Sequence, residues 1–157
     1  MKSLSAKLKP SAVLLLLAFL LGSFIRLWPV LIADFPINDG GLFYAMTGDL
    51  LANDYRLPQV VSYNGLGLPF AYPPLPFYLA ALLSDLAGWD LLDLFRLLPA
   101  LFCILAIPAF SLLARDLLED DGQVTLAVFA FAFVTPSFDW LIMGGGLTRA
   151  PAFLFSI

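Results

Sequence analysis

Hydrophobic residues in this chain fall in long blocks, not in the stripes of a soluble amphipathic helix. The first block is uncharged from residue 11 to 25 and continues past Arg26 to Ala33. A signal peptide has an apolar core of about 7–15 residues, whereas this block reaches membrane-spanning length, so it predicts an uncleaved first span over 11–33. Lys2, Lys7 and Lys9 precede it, which places that end in the cytoplasm by the positive-inside rule and the residues after 33 on the outer face. Arg26 lies about two turns from the outer end, where a long side chain either snorkels to the surface or turns inward to an anionic group.

Residues 34–83 hold no comparable apolar run, and irregular chain is costly in hydrocarbon, so this stretch is expected outside the bilayer or at its surface. Within it, Leu42, Met46 and Leu50 recur at spacing four with Phe43 alongside, and polar Thr47, Asp49 and Asn53 fall between and after them. That pattern predicts a short amphipathic helix over 39–52, lying on the membrane, with Asn38 or Asp39 at its N-cap. Residues 54–69 read as irregular chain with turns at Asn64-Gly65 and Leu68-Pro69. Residues 70–83 are uncharged but only fourteen in number, and Pro73, Pro74 and Pro76 occupy the first half. An interfacial or re-entrant helix fits them better than a span of about 30 Å. Asp85, Asp90, Asp93 and Trp89 then mark a headgroup border, so the outer loop extends over 34–96.

Residues 97–114 carry no charge and predict a second span, with Pro99 and Pro108 tolerated where neighbours satisfy the freed carbonyls. A polar connection, 115–123, leads to a third expected span over 124–143, interrupted near its end by Pro136 and Asp139. Gly144-Gly145-Gly146-Leu147-Thr148-Arg149 follows, and another helix is expected to start at 151. The last apolar run stops at Ile157 without cap, turn or polar tail, so the expectation is a fragment of a longer protein. If 70–83 is interfacial, Asp39 and Arg149 lie on one face of the membrane; if it spans, they lie on opposite faces. Its length favours the first.

Composition agrees with the block pattern. The chain is 61% hydrophobic and 13% charged, against about a quarter charged in soluble domains, which predicts an all-α membrane protein with a large first outer loop. A net charge of −4 with no basic cluster excludes a nucleic-acid surface, and the absence of histidine excludes His-based metal or nucleophile chemistry within these residues. Cys103 sits in an apolar run as a packing residue.

Three positions can carry chemistry. Asp39, beside glycines and aromatics at the outer end of the first span, suits a general base or a metal ligand, and equally a helix cap. The 144–149 turn brings backbone N–H groups, a hydroxyl and a guanidinium together, which suits an anionic oxygen such as a phosphate, or is only a tight reversal. Asp139 can pair with Arg149 or join Asp39 around a divalent cation.

The order of these features is distinctive: an apolar helix, an Asp just past its outer end, then a helix reading Tyr72-Pro-Pro-Leu-Pro-Phe-Tyr78. Arg96-Leu-Leu-Pro99 then opens a span that closes on Leu-Leu-Ala-Arg115. It resembles the N-terminal part of the GT-C class of membrane glycosyltransferases. That class includes protein mannosyltransferase-like enzymes, aminoarabinose transferases and the catalytic subunits of oligosaccharyltransferases. The resemblance implies a polytopic enzyme moving a sugar from a polyprenyl-phosphate donor to an acceptor on the extracytoplasmic face, in the plasma membrane of a prokaryote. Its partners would be the lipid-linked donor and membrane lipids.

Asp39 matches the acidic position of the family's first outer loop, which serves as catalytic base or, in some members, as part of a metal site. Gly40 stands where many members carry a second acid, so a metal-free base is the simpler assignment. Arg149 corresponds to a donor-phosphate contact, with Asp139 and Tyr72 as supporting residues. In an inverting transfer, the base takes the acceptor proton while a cation meets the charge growing on the departing phosphate. The competing classes are a transporter or flippase, in which Arg26, Asp39 and Arg149 would line a path, and a non-catalytic membrane scaffold.

Overall fold

A computed structural model describes residues 9–144 and 146–157. Lys2 and Lys7, which contribute to the expected orientation, and Gly145 of the glycine turn lie outside the described residues. The described chain is mostly helical. Its six α-helices are α1 (Pro10–Ile32), α2 (Gly40–Ala52), α3 (Leu75–Ala87), α4 (Leu91–Leu117), α5 (Asp121–Phe133) and α6 (Gly146–Ser156). Among the described residues, α1 and α4 are long and apolar enough to cross a membrane.

Side-chain contacts fix the directions of the helices. Ser11 Oγ reaches Asp121 Oδ2 at the start of α1 and α5, while Arg26 meets the carbonyl of Ala132 near the end of α5, so these two helices run parallel. Arg96 near the start of α4 bonds the carbonyl of Val30 near the end of α1, so α4 runs the opposite way. The buried stripe of α1 is Ala18, Gly22, Arg26 and Val30, at spacing four on one helix face. A Cβ on Gly22 would stand 2.9 Å from Ile107 Cδ1 and 3.0 Å from Ala132 Cβ, so a glycine lets α1, α4 and α5 approach closely there.

At the end of the bundle where α1 finishes, α2 and α3 form a lobe with its own core. Phe43, Met46, Leu50 and Phe77 are fully or almost fully buried, and each contributes about 1.5–3 kcal/mol through removal from water. Phe43 stacks on Phe77 with centroids 5.9 Å apart. The end of α2 is tied to α3 through Tyr55. Its hydroxyl donates to Asp85 at 3.0 Å, and its carbonyl accepts from the Tyr78 hydroxyl at 3.0 Å. Those two bonds hold Tyr55 in the left-handed region at φ 61°, a conformation uncommon for a bulky side chain. Residues Leu68–Pro69, expected as a turn, instead pair antiparallel with Val60–Val61, and the chain reverses through Tyr63–Gly65.

Helix boundaries differ from those expected in several places, α3 covering Leu75–Ala87 instead of 70–83 among them, and three differences bear on the site. The helix expected over 97–114 is longer, Leu91–Leu117, so the stretch expected as a loop over 34–96 ends correspondingly earlier. Asp90 caps it, accepting from the N–H groups of Leu92 and Asp93 at 2.8 and 3.2 Å, so the charged first turn belongs to the helix. The helix expected to start at 151 begins at Gly146, and Pro151 lies inside it.

The third difference is the largest: the helix expected over 124–143 ends at Phe133. At about 1.5 Å per residue, α5 falls short of a hydrocarbon core of about 30 Å. The cause is Pro136. Its nitrogen would be the helical donor to the carbonyl of Ala132, and it has no hydrogen to donate. Beyond Phe133 the chain makes a single 3₁₀ turn, Thr135–Ser137, and runs irregularly to Gly144.

Arg26 neither snorkels nor meets an anion. It is fully buried, and its guanidinium donates to the carbonyls of Ala132 at 2.7 Å, Phe131 at 3.2 Å and Gly22 at 3.0 Å, and to Ser137 Oγ at 3.3 Å. Its charge also lies 4.2 Å from the ring centre of Phe138. A cation at the negative end of a helix dipole and over an aromatic face is favourably placed without a carboxylate.

Candidate functional site

Of the candidate residues, Asp39 stands where α2 begins. Asn38 adopts φ 65°, turning the chain back so that Asp39 stands at the N-cap of α2. Asp39 is half-buried, and its side chain makes no capping hydrogen bond to that helix. Helix capping therefore does not account for its carboxylate.

Met143 and Gly144, just before α6, meet this point directly. The Gly144 N–H donates to the carbonyl of Ile37 at 2.8 Å, and Asn38 Nδ2 lies 3.4 Å from the sulfur of Met143. A Cβ on Gly144 would fall inside the backbone of Gly40, and one on Gly40 would run into Pro36. Gly144 is demanded by the close approach of the two backbones, and Gly40 by the Pro36 ring packed against it. The same crowding leaves no room at position 40 for a second acidic side chain beside Asp39.

The first turn of α2, which follows Asp39, is flanked by aromatic rings. A Cβ on Gly41 would stand 3.4 Å from the ring of Tyr63 and 4.0 Å from that of Phe35. Tyr72 is 42% exposed and packs edge-on against Phe43, one turn along α2 from Asp39, with centroids 4.7 Å apart. Tyr63 and Phe35 carry no motif in the sequence. The part of Tyr63 comes from the fold of 54–69 back over α2, and that of Phe35 from the short connection between α1 and α2.

Arg149 and Asp139 both turn onto Trp140. The Arg149 guanidinium lies 4.4 Å from the Trp140 ring centre and donates to its carbonyl at 3.3 Å. Asp139 is exposed, and its carboxylate accepts the N–H of Trp140 at 2.7 Å. Arg149 and Asp139 therefore share a neighbour, and the pairing with each other, one of the two arrangements open to Asp139, is not among the ion pairs of the described residues. Among the described residues, no three Asp, Glu or Cys side chains converge in a way that could hold a metal ion.

The arrangement presents a half-buried carboxylate where α2 begins, beside a backbone contact that needs glycine, and, in the first turn of α6, a planar cation stacked on Trp140. The residue that sequence reasoning placed least well is Arg26, and a signal for it existed. An arginine in one apolar block and a proline late in another supply, respectively, an extra donor and a missing one. Compared with known protein families, curated proteins and solved structures, the chain matches none.

Proposed function

We propose that this chain is the N-terminal part of a GT-C-like membrane glycosyltransferase. It takes a sugar from a polyprenyl-phosphate donor and passes it to an acceptor on the extracytoplasmic face. In this reading α1 and α4 span the membrane, the N-terminus is cytoplasmic, and the α2–α3 lobe lies outside. The outward side of α1 supports the membrane setting: Leu17, Phe24 and Leu31 are between 42 and 59% exposed with no partner helix over them. So continuous an apolar face is suited to lipid.

The observation that carries the enzymatic reading is the backbone contact between Gly40 and Gly144, which brings the Asp39 segment against the chain just before α6, the helix that carries Arg149. The acceptor hydroxyl oxygen attacks the anomeric carbon, the bond from that carbon to the phosphate oxygen breaks, and polyprenyl phosphate leaves. Asp39 takes the hydroxyl proton, and Arg149 meets the charge left on the phosphate. With Gly40 sterically required, a base working without metal is the simpler form of this chemistry. A divalent cation would have to draw its other ligands from substrate, water or residues outside those described.

Replacement of Asp39 by Asn in the full-length protein tests the reading. A fall in transfer of about 10²–10⁴-fold is expected for loss of a general base, read as the glycan profile in a complementation assay. An unchanged profile would remove Asp39 from the chemistry.

One observation favours a transporter instead. A helix broken beside a buried cation is a device that transporters use at the membrane midplane. Here, however, Arg26 is fully buried and both its terminal nitrogens donate to protein carbonyls or a hydroxyl, with only Nε left unpartnered, so the guanidinium is committed to packing and not to a water-filled path.

A further inference from the structure

We propose that Arg26 is a positioning residue for the Asp39 segment: by holding the broken end of α5, it fixes where residues 134–144 run and hence where Gly144 meets Gly40. The chain of contacts is continuous. The carbonyls of Phe131 and Ala132 belong to the last turn of α5, where no helical N–H is available to them. Pro136 removes the donor that a longer helix would have offered to Ala132, and Arg26 supplies a charged one at 2.7 Å.

The same guanidinium reaches past the helix end to Ser137 Oγ at 3.3 Å, and Ser137 in turn donates to the Phe131 carbonyl at 2.9 Å. This closes the turn after α5 on a fixed point of α1. Phe138, the next residue, lies under the guanidinium and is 4% exposed, so the direction in which the segment leaves the turn is set by the same group. The segment then ends in the bond from the Gly144 N–H to Ile37. Arg26 and Ile37 lie on either side of the end of α1, so the segment 134–144 is held at both ends by one stretch of chain.

A lysine would retain the charge but not the fork that serves Ala132, Phe131 and Ser137 together. Positioning by Arg26 therefore depends on geometry more than on charge. The inference is independent of the identity of the reaction, because its readout is proximity.

The test uses the full-length protein in its membrane, with Cys103→Ala, Asn38→Cys and Met143→Cys. The two introduced thiols replace side chains already in contact. Oxidative cross-linking between them is followed by the shift that a maleimide–polyethylene glycol label produces on a gel. With Arg26 present the disulfide forms readily. Arg26→Lys is expected to slow cross-linking about tenfold, the consequence of losing one or more charge-assisted hydrogen bonds, at unchanged protein level.

Arg26→Gln combined with Pro136→Ala provides a second variant. The restored N–H lets α5 continue, so the protein accumulates while cross-linking remains slow. Cross-linking at the parental rate in Arg26→Lys, or in the double variant, would overturn the proposal. Failure of the Asp39→Asn experiment would leave this result standing, because no transfer reaction is measured here.

Discussion

The guanidinium of Arg96 donates to the carbonyl of Val30 at 3.3 Å and so closes the far end of α1 from the neighbouring helix. Val30 is among the last four residues of α1, whose carbonyls lack helical donors. The same side chain meets Asp93 at 2.9 Å, but Asp93 is 56% exposed and the pair is screened by solvent. Arg96→Gln is therefore expected to destabilise the protein by about 1–2 kcal/mol through the lost carbonyl bond. Asp93→Asn is expected to cost no more than about 0.5 kcal/mol, as for an exposed pair. Thermal unfolding of the two variants in detergent micelles measures the difference.

Two glycine-to-alanine changes separate crowding from flexibility. In Gly144→Ala the new methyl meets the backbone of Gly40, and a loss of about 1–3 kcal/mol is expected for forced overpacking. Gly48 lies inside α2 with nothing within 4 Å of its missing side chain. Gly48→Ala should raise stability by about 0.5–1 kcal/mol, since alanine loses less freedom in a helix. Equal effects at the two positions would contradict the close contact at Gly144.

The lobe should weaken in alkali. Partial burial, with the hydrogen bond to the Asp85 carboxylate and its charge, pushes the Tyr55 hydroxyl above the ordinary tyrosine range. A raised value means that the folded lobe favours the neutral phenol. That contribution is fully present below about pH 10, the ordinary tyrosine value, and is lost as pH rises through the raised one. Tyrosinate absorbance followed against pH checks this, and Tyr55→Phe should remove a late-titrating component. Asp85→Asn should move that component to lower pH without restoring the ordinary value, because partial burial remains.

If Arg149 meets the departing phosphate, its removal should act on the reaction and not on folding. Arg149→Met is expected to lower kcat/KM about 10²–10³-fold, as for loss of one charge-stabilising donor. Trp140→Phe keeps a ring under the guanidinium and should leave turnover within about threefold of the parent. A transfer assay on membranes with a synthetic polyprenyl-phosphate sugar distinguishes the two variants.

Much of the helical plan is legible as hydropathy. The first block ends within one residue of α1, and the spacing of Leu42, Met46 and Leu50 marks α2. What the hydropathy profile misreads is where the backbone loses its donors. Residues 124–143 are apolar enough for one helix, yet a single missing N–H at Pro136 divides them. The opposite error occurs at Asp93 and Arg96. Their charges suggest a border outside the helix, but the Asp90 cap starts the helix before them.

The candidate site is legible only as separate pieces. Asp39 and the glycine turn stand out in the sequence. Their contact does not, because it depends on two backbones touching with no side chain between them.

That contact has a consequence for biosynthesis. Asn38 and Met143 are 105 residues apart in the chain. At about 5–20 residues per second, the ribosome delivers the second partner on the order of 5–20 s after the first. Throughout that interval the start of α2 has no Gly144 against it and Ile37 has no N–H to accept. In the proposed membrane setting the helices can insert in order, but the Asp39 junction forms only after the chain has doubled back through α4 and α5. Activity that depends on it would therefore appear late in synthesis, after the anchoring helix is already in place.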